Sequence, residues 1–125
     1  MSMKMQESPE DYLETILVLS LEHEHVRSID VARKLGFSKP SVSVAMKRLR
    51  ENGYVYMDGE NYLTLTESGS VIANKVYERH RVISGYLKSL GVSEETASND
   101  ACRIEHVISD ESFAIIKGIY EASLK

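Results

Sequence analysis

Cys102, Glu105 and His106 stand at i, i+3 and i+4, a spacing that brings three side chains into one ~100° arc of a helix. A thiolate, a carboxylate and an imidazole are all ligands for a divalent transition metal. Two further carboxylates, Asp11 and Glu14, repeat the i, i+3 spacing near the other end of the chain. His80 falls at the edge of the apolar stripe Ile72, Val76, Ile83 and Leu87, on the interior side, where an imidazole needs a partner. Each residue also has a plainer role. A lone cysteine is usually a small buried hydrophobe, two acids suit any helix N-terminus, and a stripe-edge histidine often serves as a hydrogen-bonded core residue. Spacing alone does not bring three separate segments to one point.

Two other chemistries can be weighed on the same residues. Cys102 and His106 could pair as nucleophile and base. No Gly-rich oxyanion loop, nucleophile elbow or evident orienting acid accompanies them, so the chain is expected not to be an enzyme. Cys102 could instead be the switch of a regulator that senses oxidation, or the site could take a small organic ligand. Sensitivity of function to a chelator would separate these alternatives from a metal site.

The elements that must position these groups are mostly helical. Ser8 as N-cap, Pro9 in the first turn and the acids Glu10 and Asp11 start a helix whose apolar positions Leu13, Ile16, Leu17 and Leu21 carry it to about Leu21. A second, short helix begins around Arg27–Asp30, runs through Val31, Ala32 and Leu35, and stops at Gly36. Ser38 caps a third, with Val42, Ala45, Met46 and Leu49 as its buried stripe and Asn52–Gly53 as its end. The period then changes. Residues 54–57 and 62–65 are rich in aromatic and β-branched side chains and flank the turn Asp58–Asn61, which predicts a β-hairpin. A long fourth helix opens at Thr66–Gly69 and reaches about Leu90. A fifth is capped at Ser93–Glu95 and carries the stripe Ala97, Ala101, Ile104 and Ile108. Ser109–Glu111 starts a sixth bearing Phe113, Ile116, Tyr120 and Leu124.

Three helices followed by a hairpin is the order of a winged helix-turn-helix, and the third helix suits DNA. Opposite its buried stripe lie Pro40, Val44, Lys47 and Glu51, flanked by Ser41, Ser43 and Arg48. Small side chains at its N-terminal end, Ser38, Pro40, Ser41, Ser43 and Val44, can approach base edges in the major groove. Arg27, Lys39, Lys47, Arg48 and Arg50 can reach phosphates, each adding to affinity and to its salt dependence. No Gln or Asn stands among the readers, so part of the specificity is expected to be indirect. A basic helix taken alone is as easily a solvated face. The capped start, the spacing and the hairpin together favour DNA.

Bulk properties agree once their distribution is read. The chain has 125 residues and a net charge of −4, which looks wrong for a nucleic-acid binder. Yet residues 26–50 hold seven basic side chains against one acid, Asp30, whereas residues 5–26 hold six acids and no Lys or Arg. One face can meet phosphate while an acidic region elsewhere can meet a cation. A chain this short buries a modest fraction of its surface, so dimerisation would help. No apolar run approaches the ~18 residues of a membrane span. The N-terminal residues lack the stretch of a secretion signal, and a single cysteine suits a reducing compartment, so a cytoplasmic setting is expected.

Five segments together resemble the diphtheria-toxin-repressor and manganese-transport-regulator family (DtxR/MntR). They are Ser8–Ile16 (SPEDYLETI), Ser38–Ser43 (SKPSVS), Leu63–Gly69 (LTLTESG), Glu78–Arg81 (ERHR) and Asn99–Val107 (NDACRIEHV). The resemblance spans nearly the whole chain with the motifs in order, and the last segment is highly specific. It implies a mainly α fold with a small β-hairpin wing: a winged helix-turn-helix DNA-binding domain over residues 1–70, then an α-helical dimerisation and metal-binding domain over residues 71–125. It also implies a homodimeric repressor on double-stranded DNA, at palindromic operators of metal-uptake genes, with iron(II) or manganese(II) as co-repressor. Cobalt(II), nickel(II) or zinc would be accepted in vitro.

Carried over by position, the resemblance puts Asp11, Glu14, His80, Cys102, Glu105 and His106 on metal-binding positions. The set is a hybrid. Asp11 and Glu14 are what the manganese branch carries, whereas Cys102 is what the iron branch carries in place of a carboxylate that can bridge two manganese ions. The iron branch's ancillary site is expected to be absent, because its acid and its later histidine are Ser84 and Ser98 here. The chain ends near the sixth helix, so the SH3-like domain of longer members is not expected. A thiolate favours softer ions, while three carboxylates and two imidazoles pull toward harder ones. Metal binding would displace the thiol proton and so strengthen as pH rises.

Overall fold

The computed structural model describes residues 8–125. Glu7, one of the six acids counted above, lies outside them. The helices are α1 (Pro9–Glu22), α2 (Ser28–Leu35), α3 (Lys39–Glu51), α4 (Glu67–Ser89), α5 (Glu94–Ile104) and α6 (Asp110–Ser123). Strands β1 (Val55–Met57) and β2 (Leu63–Leu65) stand between α3 and α4. This is the expected mainly helical fold with a two-stranded wing. Two compact units divide between Asn74 and Lys75, within α4.

The caps explain where the elements begin. Ser8, Ser38, Ser93 and Ser109 each sit in extended backbone and accept from the amide three residues on, at Asp11, Ser41, Thr96 and Ser112. Helix α2 lacks such a hydroxyl. There the Asp30 carboxylate reaches back to the Arg27 amide at 2.9 Å, and Gly36 closes the helix at φ 75°.

The first unit is built on Tyr12, Leu13, Ile16 and Leu19 of α1, Val31 and Ala32 of α2, and Val42, Met46 and Leu49 of α3, with Val55 and Leu63 from the strands. The hairpin is antiparallel with Val55 opposite Leu65 and Met57 opposite Leu63. Leu63 also donates to the Val26 carbonyl at 2.7 Å, tying the wing to the segment before α2. At the foot of the wing Thr66 N donates to the Tyr54 carbonyl and Thr66 Oγ1 to the Gly53 carbonyl. Gly69 is required here, because a Cβ would overlap that Tyr54 carbonyl.

The second unit packs Val82 and Ile83 of α4, Ala101 of α5 and Phe113 of α6, with Leu87, Ile104, Ile108, Ile116 and Tyr120 around them. One expectation is corrected here. The fifth helix does not run on through His106 to Ile108: it ends at Ile104, and Glu105, His106 and Val107 form a turn. Arg79, a buried cation on α4, holds this turn. It donates to the carbonyls of Glu105 (3.3 Å) and Ile108 (2.7 Å) and pairs with the Asp110 carboxylate. These bonds satisfy carbonyls that a continuing helix would have bonded within itself.

Candidate functional site

In the second unit, α4 supplies His80, the last turns of α5 supply Cys102, and the Arg79-held turn supplies Glu105 and His106. One ligand atom each of His80, Cys102 and Glu105 lie within 4.8 Å of one another. His80 Nδ1 is 2.9 Å from Glu105 Oε1 and 3.8 Å from Cys102 Sγ. The second Glu105 oxygen faces His106 Nε2 at 3.4 Å. Glu105 is therefore the hub, a carboxylate 1% exposed between two imidazoles. Its backbone keeps a helical conformation (φ −60°, ψ −24°), so the turn preserves the shared direction that i, i+3 spacing gave.

A buried carboxylate facing histidines is also what a simple charge-paired network looks like. Two features favour a ligand set. Cys102 is exposed, not the packed small hydrophobe of the plainer expectation, and its sulfur still turns toward His80. Donor separations of this size also suit bonds of roughly 2.0–2.3 Å to one ion. The residues present thus fit a divalent metal. Ser98 places its hydroxyl 3.5 Å from His80 Nε2, the other ring nitrogen, where it can fix the ring's orientation. In the first unit, Asp11 and Glu14 lie in the first two turns of α1, and both are partly buried. The Asp11 amide is bonded to the Ser8 cap.

Sequence reasoning assigned no role to Arg79. A signal was available: Arg79 falls on the stripe Ile72, Val76, Ile83 of α4, where a charge is out of place. Its guanidinium also lies 5.4 Å from the Phe113 ring centroid, so the residue that shapes the turn is itself held on several sides.

The other candidate surface belongs to the first unit. Val42, Met46 and Leu49 are buried, while Lys39, Pro40, Ser41, Ser43, Val44, Lys47, Arg48 and Arg50 are exposed on α3. Ser38 is engaged as the cap, and its hydroxyl donates to Ser41 Oγ at 3.0 Å. Arg50 reaches Met57 Sδ on β1 at 3.6 Å. Arg27 lies beside the wing, its guanidinium 4.7 Å from the Tyr62 ring, on which His25 also stacks at 4.1 Å. The sequence reading passed over His25 and Tyr62, since aromatic stacking between a loop and a wing leaves no periodic trace.

A three-helix unit with a two-stranded wing and an exposed basic third helix, followed by a helical unit with converging metal donors, defines a winged-helix regulator with a candidate sensor site. The iron dependent repressor N-terminal DNA binding domain matches residues 4–63, and the iron dependent repressor metal binding and dimerisation domain matches residues 66–121. The chain belongs to this family of transcriptional regulators, the DtxR/MntR family.

It is similar to the transcriptional regulator MntR of Salmonella typhimurium, 38% identical over 103 residues, covering 82% of this chain and 66% of that protein. It is also similar to the HTH-type transcriptional regulator MJ0568 of Methanocaldococcus jannaschii, 36% identical over 115 residues, covering 90% and 92%. Among solved structures, the manganese regulator SloR superposes with a TM-score of 0.81 at 29% identity, over 91% of this chain and 54% of that one. The chain thus spans about two thirds of the Salmonella protein and about half of SloR. Among the described residues no helix is long and apolar enough to cross a membrane.

Proposed function

We propose that this chain is a metal-dependent transcriptional repressor. It takes iron(II) or manganese(II) as co-repressor and binds palindromic operators of metal-uptake genes as a homodimer in a prokaryotic cytoplasm. The observation that carries this reading is the meeting of His80, Cys102 and Glu105 within 4.8 Å. Family membership supports it. Residues 1–70 act as the DNA-binding domain and residues 71–125 as the dimerisation and metal-binding domain.

The ligand set is Asp11, Glu14, His80, Cys102, Glu105 and His106. When bound, a divalent ion would supply short, directional bonds to these side chains. Asp11 and Glu14 contribute from α1, whose Leu13 and Ile16 lie in the same core as Val42 and Met46 of the reading helix. His80, Cys102, Glu105 and His106 contribute from the helical domain. With all six engaged, each winged helix keeps one position on the dimer. The two α3 helices then face half-sites one or more helical turns apart. Protein with these groups disengaged samples other spacings and binds weakly. On α3, Lys39, Lys47, Arg48 and Arg50, with Arg27 beside the wing, neutralise phosphates. Pro40, Ser41, Ser43 and Val44 approach base edges, with Ser38 setting the helix start. Linkage requires operator DNA to tighten metal binding by the factor that metal tightens DNA binding.

The test is anaerobic selection of binding sites from random duplexes by manganese-loaded protein, followed by binding of the selected DNA to chelated, manganese-, iron- and zinc-loaded protein. The expected outcome is two-fold symmetric sites bound at least ~10-fold more tightly by manganese- or iron-loaded than by chelated protein, a typical coupling. Equal binding by chelated and loaded protein would reject metal sensing and leave a plain DNA binder.

A further inference from the structure

The segment ahead of α2 is fastened to the wing residue by residue. Buried Val26 accepts from Leu63 N at 2.7 Å through its carbonyl. Its two neighbours meet one ring. His25 stacks on Tyr62 at 4.1 Å with the planes 9° apart, and the Arg27 guanidinium lies 4.7 Å from the centre of the same ring. Tyr62 is held in turn by Asp58. Its amide donates to Asp58 Oδ1 at 2.9 Å, and its carbonyl accepts from the Asp58 amide at 3.1 Å. The ring therefore stands on a fixed part of the hairpin.

Arg27 is the residue this arrangement serves. Its amide donates to Asp30 Oδ2 at 2.9 Å, so its main chain is tied as well as its side chain. Yet Arg27 is exposed, and among the described residues no carboxylate pairs with its guanidinium. Asp30, the one acid between residues 26 and 50, is taken up elsewhere: Oδ2 holds the Arg27 amide and Oδ1 lies 3.8 Å from Arg33 Nη1. A cation over an aromatic face is attracted by the ring quadrupole and spends none of its five N–H donors there. A long side chain normally loses rotamer freedom when it grips an anion. Arg27 has given up part of that freedom beforehand.

We propose that Tyr62 is a positioning residue for DNA binding, its ring holding the Arg27 guanidinium ready to meet a phosphate of the duplex. The proposal deepens the phosphate reading of Arg27 above and rests on it. A planar guanidinium with its donors unspent matches phosphate oxygens as a fork. Both residues also lie inside the matched DNA binding domain. In this role Tyr62 acts through Arg27 and need not touch DNA itself.

The test is a double-mutant cycle on the full chain with manganese(II) present. Fluorescence anisotropy follows binding to a labelled pool of random duplexes at several salt concentrations. Arg27→Ala should weaken binding about 3–10-fold and flatten the salt dependence by about one unit of slope. Tyr62→Ala should weaken it about 3–5-fold in the parent. In an Arg27→Ala background the same change should add less than about 2-fold, because the group it positions is gone. Tyr62→Phe keeps the ring and should bind within about 2-fold of the parent. Tyr62→Leu keeps bulk without a π face and should behave as Tyr62→Ala does; it also replaces that variant in the cycle if the alanine form does not fold. A Tyr62→Ala loss that is equal with and without Arg27, or a full rescue by leucine, makes Tyr62 a packing residue only. Either result overturns the positioning role and leaves the Arg27 contact standing. Parent-like binding by Arg27→Ala overturns the contact and the proposal together, as does a parent chain that binds no duplex.

Discussion

The two units dispose of their polar side chains in opposite ways. On α3 the cations Lys39, Lys47 and Arg48 are exposed, and no ion pair holds them among the described residues. Around Glu105 the polar groups are bound to one another: His80 to one oxygen, His106 facing the other, and the backbone pinned by Arg79. Surface cations left without partners gain from phosphate what they do not already get from the protein. Ligands held together beforehand lose less freedom when an ion arrives, and they discriminate by geometry. The basic helix stays uncommitted, whereas the candidate metal site is arranged in advance.

That contrast can be broken most forcefully at its hub. Glu105→Ala should lower manganese or iron affinity by more than ~100-fold, since even outer-shell partners of ligands are worth 10–100-fold. Anaerobic calorimetry measures this, and circular dichroism should show the helices retained. An affinity within a few-fold of the parent would remove Glu105 from the site and with it the proposed ligand set.

Arg79 tests whether arrangement in advance is what matters. Arg79→Ala removes two carbonyl bonds and the Asp110 pair from a buried position, which should cost about 2–4 kcal/mol in urea unfolding. Arg79→Lys keeps a charge but presents no planar fork to span the two carbonyls, so it should recover only part of the stability. Metal affinity should fall in both, although neither change touches a ligand. Unchanged stability in Arg79→Ala would show that the turn forms without it.

The smallest effects belong to the basic helix. Lys47→Ala and Arg48→Ala should each weaken binding to specific and unrelated duplexes alike by about 3–10-fold. Each should also flatten the salt dependence by about one unit of slope. Stability should change by no more than ~0.5 kcal/mol, because both side chains are exposed. Loss confined to one DNA sequence would recast these residues as base readers.

Much of this was legible from residue order. Serine caps, the Gly36 stop, the change from helical to alternating period at Tyr54 and the stripe Val42–Leu49 are local signals, and they fixed the winged unit closely. Cys102, Glu105 and His106 were legible as a spacing, and His80 as a polar residue at the edge of an apolar stripe. That His80 and Cys102 face each other across α4 and α5 is a tertiary fact with no local signature. The early end of α5 was hidden for the same reason. The stripe Ala97–Ile108 continues in helical period, and the turn that interrupts it is held by a cation brought in from α4, 26 residues from Glu105. Tyr62 was read as a strand residue. Its stacking with His25 and Arg27 joins a loop to the wing and could not be seen from periodicity.

The Tyr54 carbonyl receives the Thr66 amide and has Gly69 pressed against it. Strand β1 and the opening turn of α4 therefore share one anchor with no room between them. A rotation applied to that turn is delivered to the base of the wing without backlash, as through a welded joint and not a hinge.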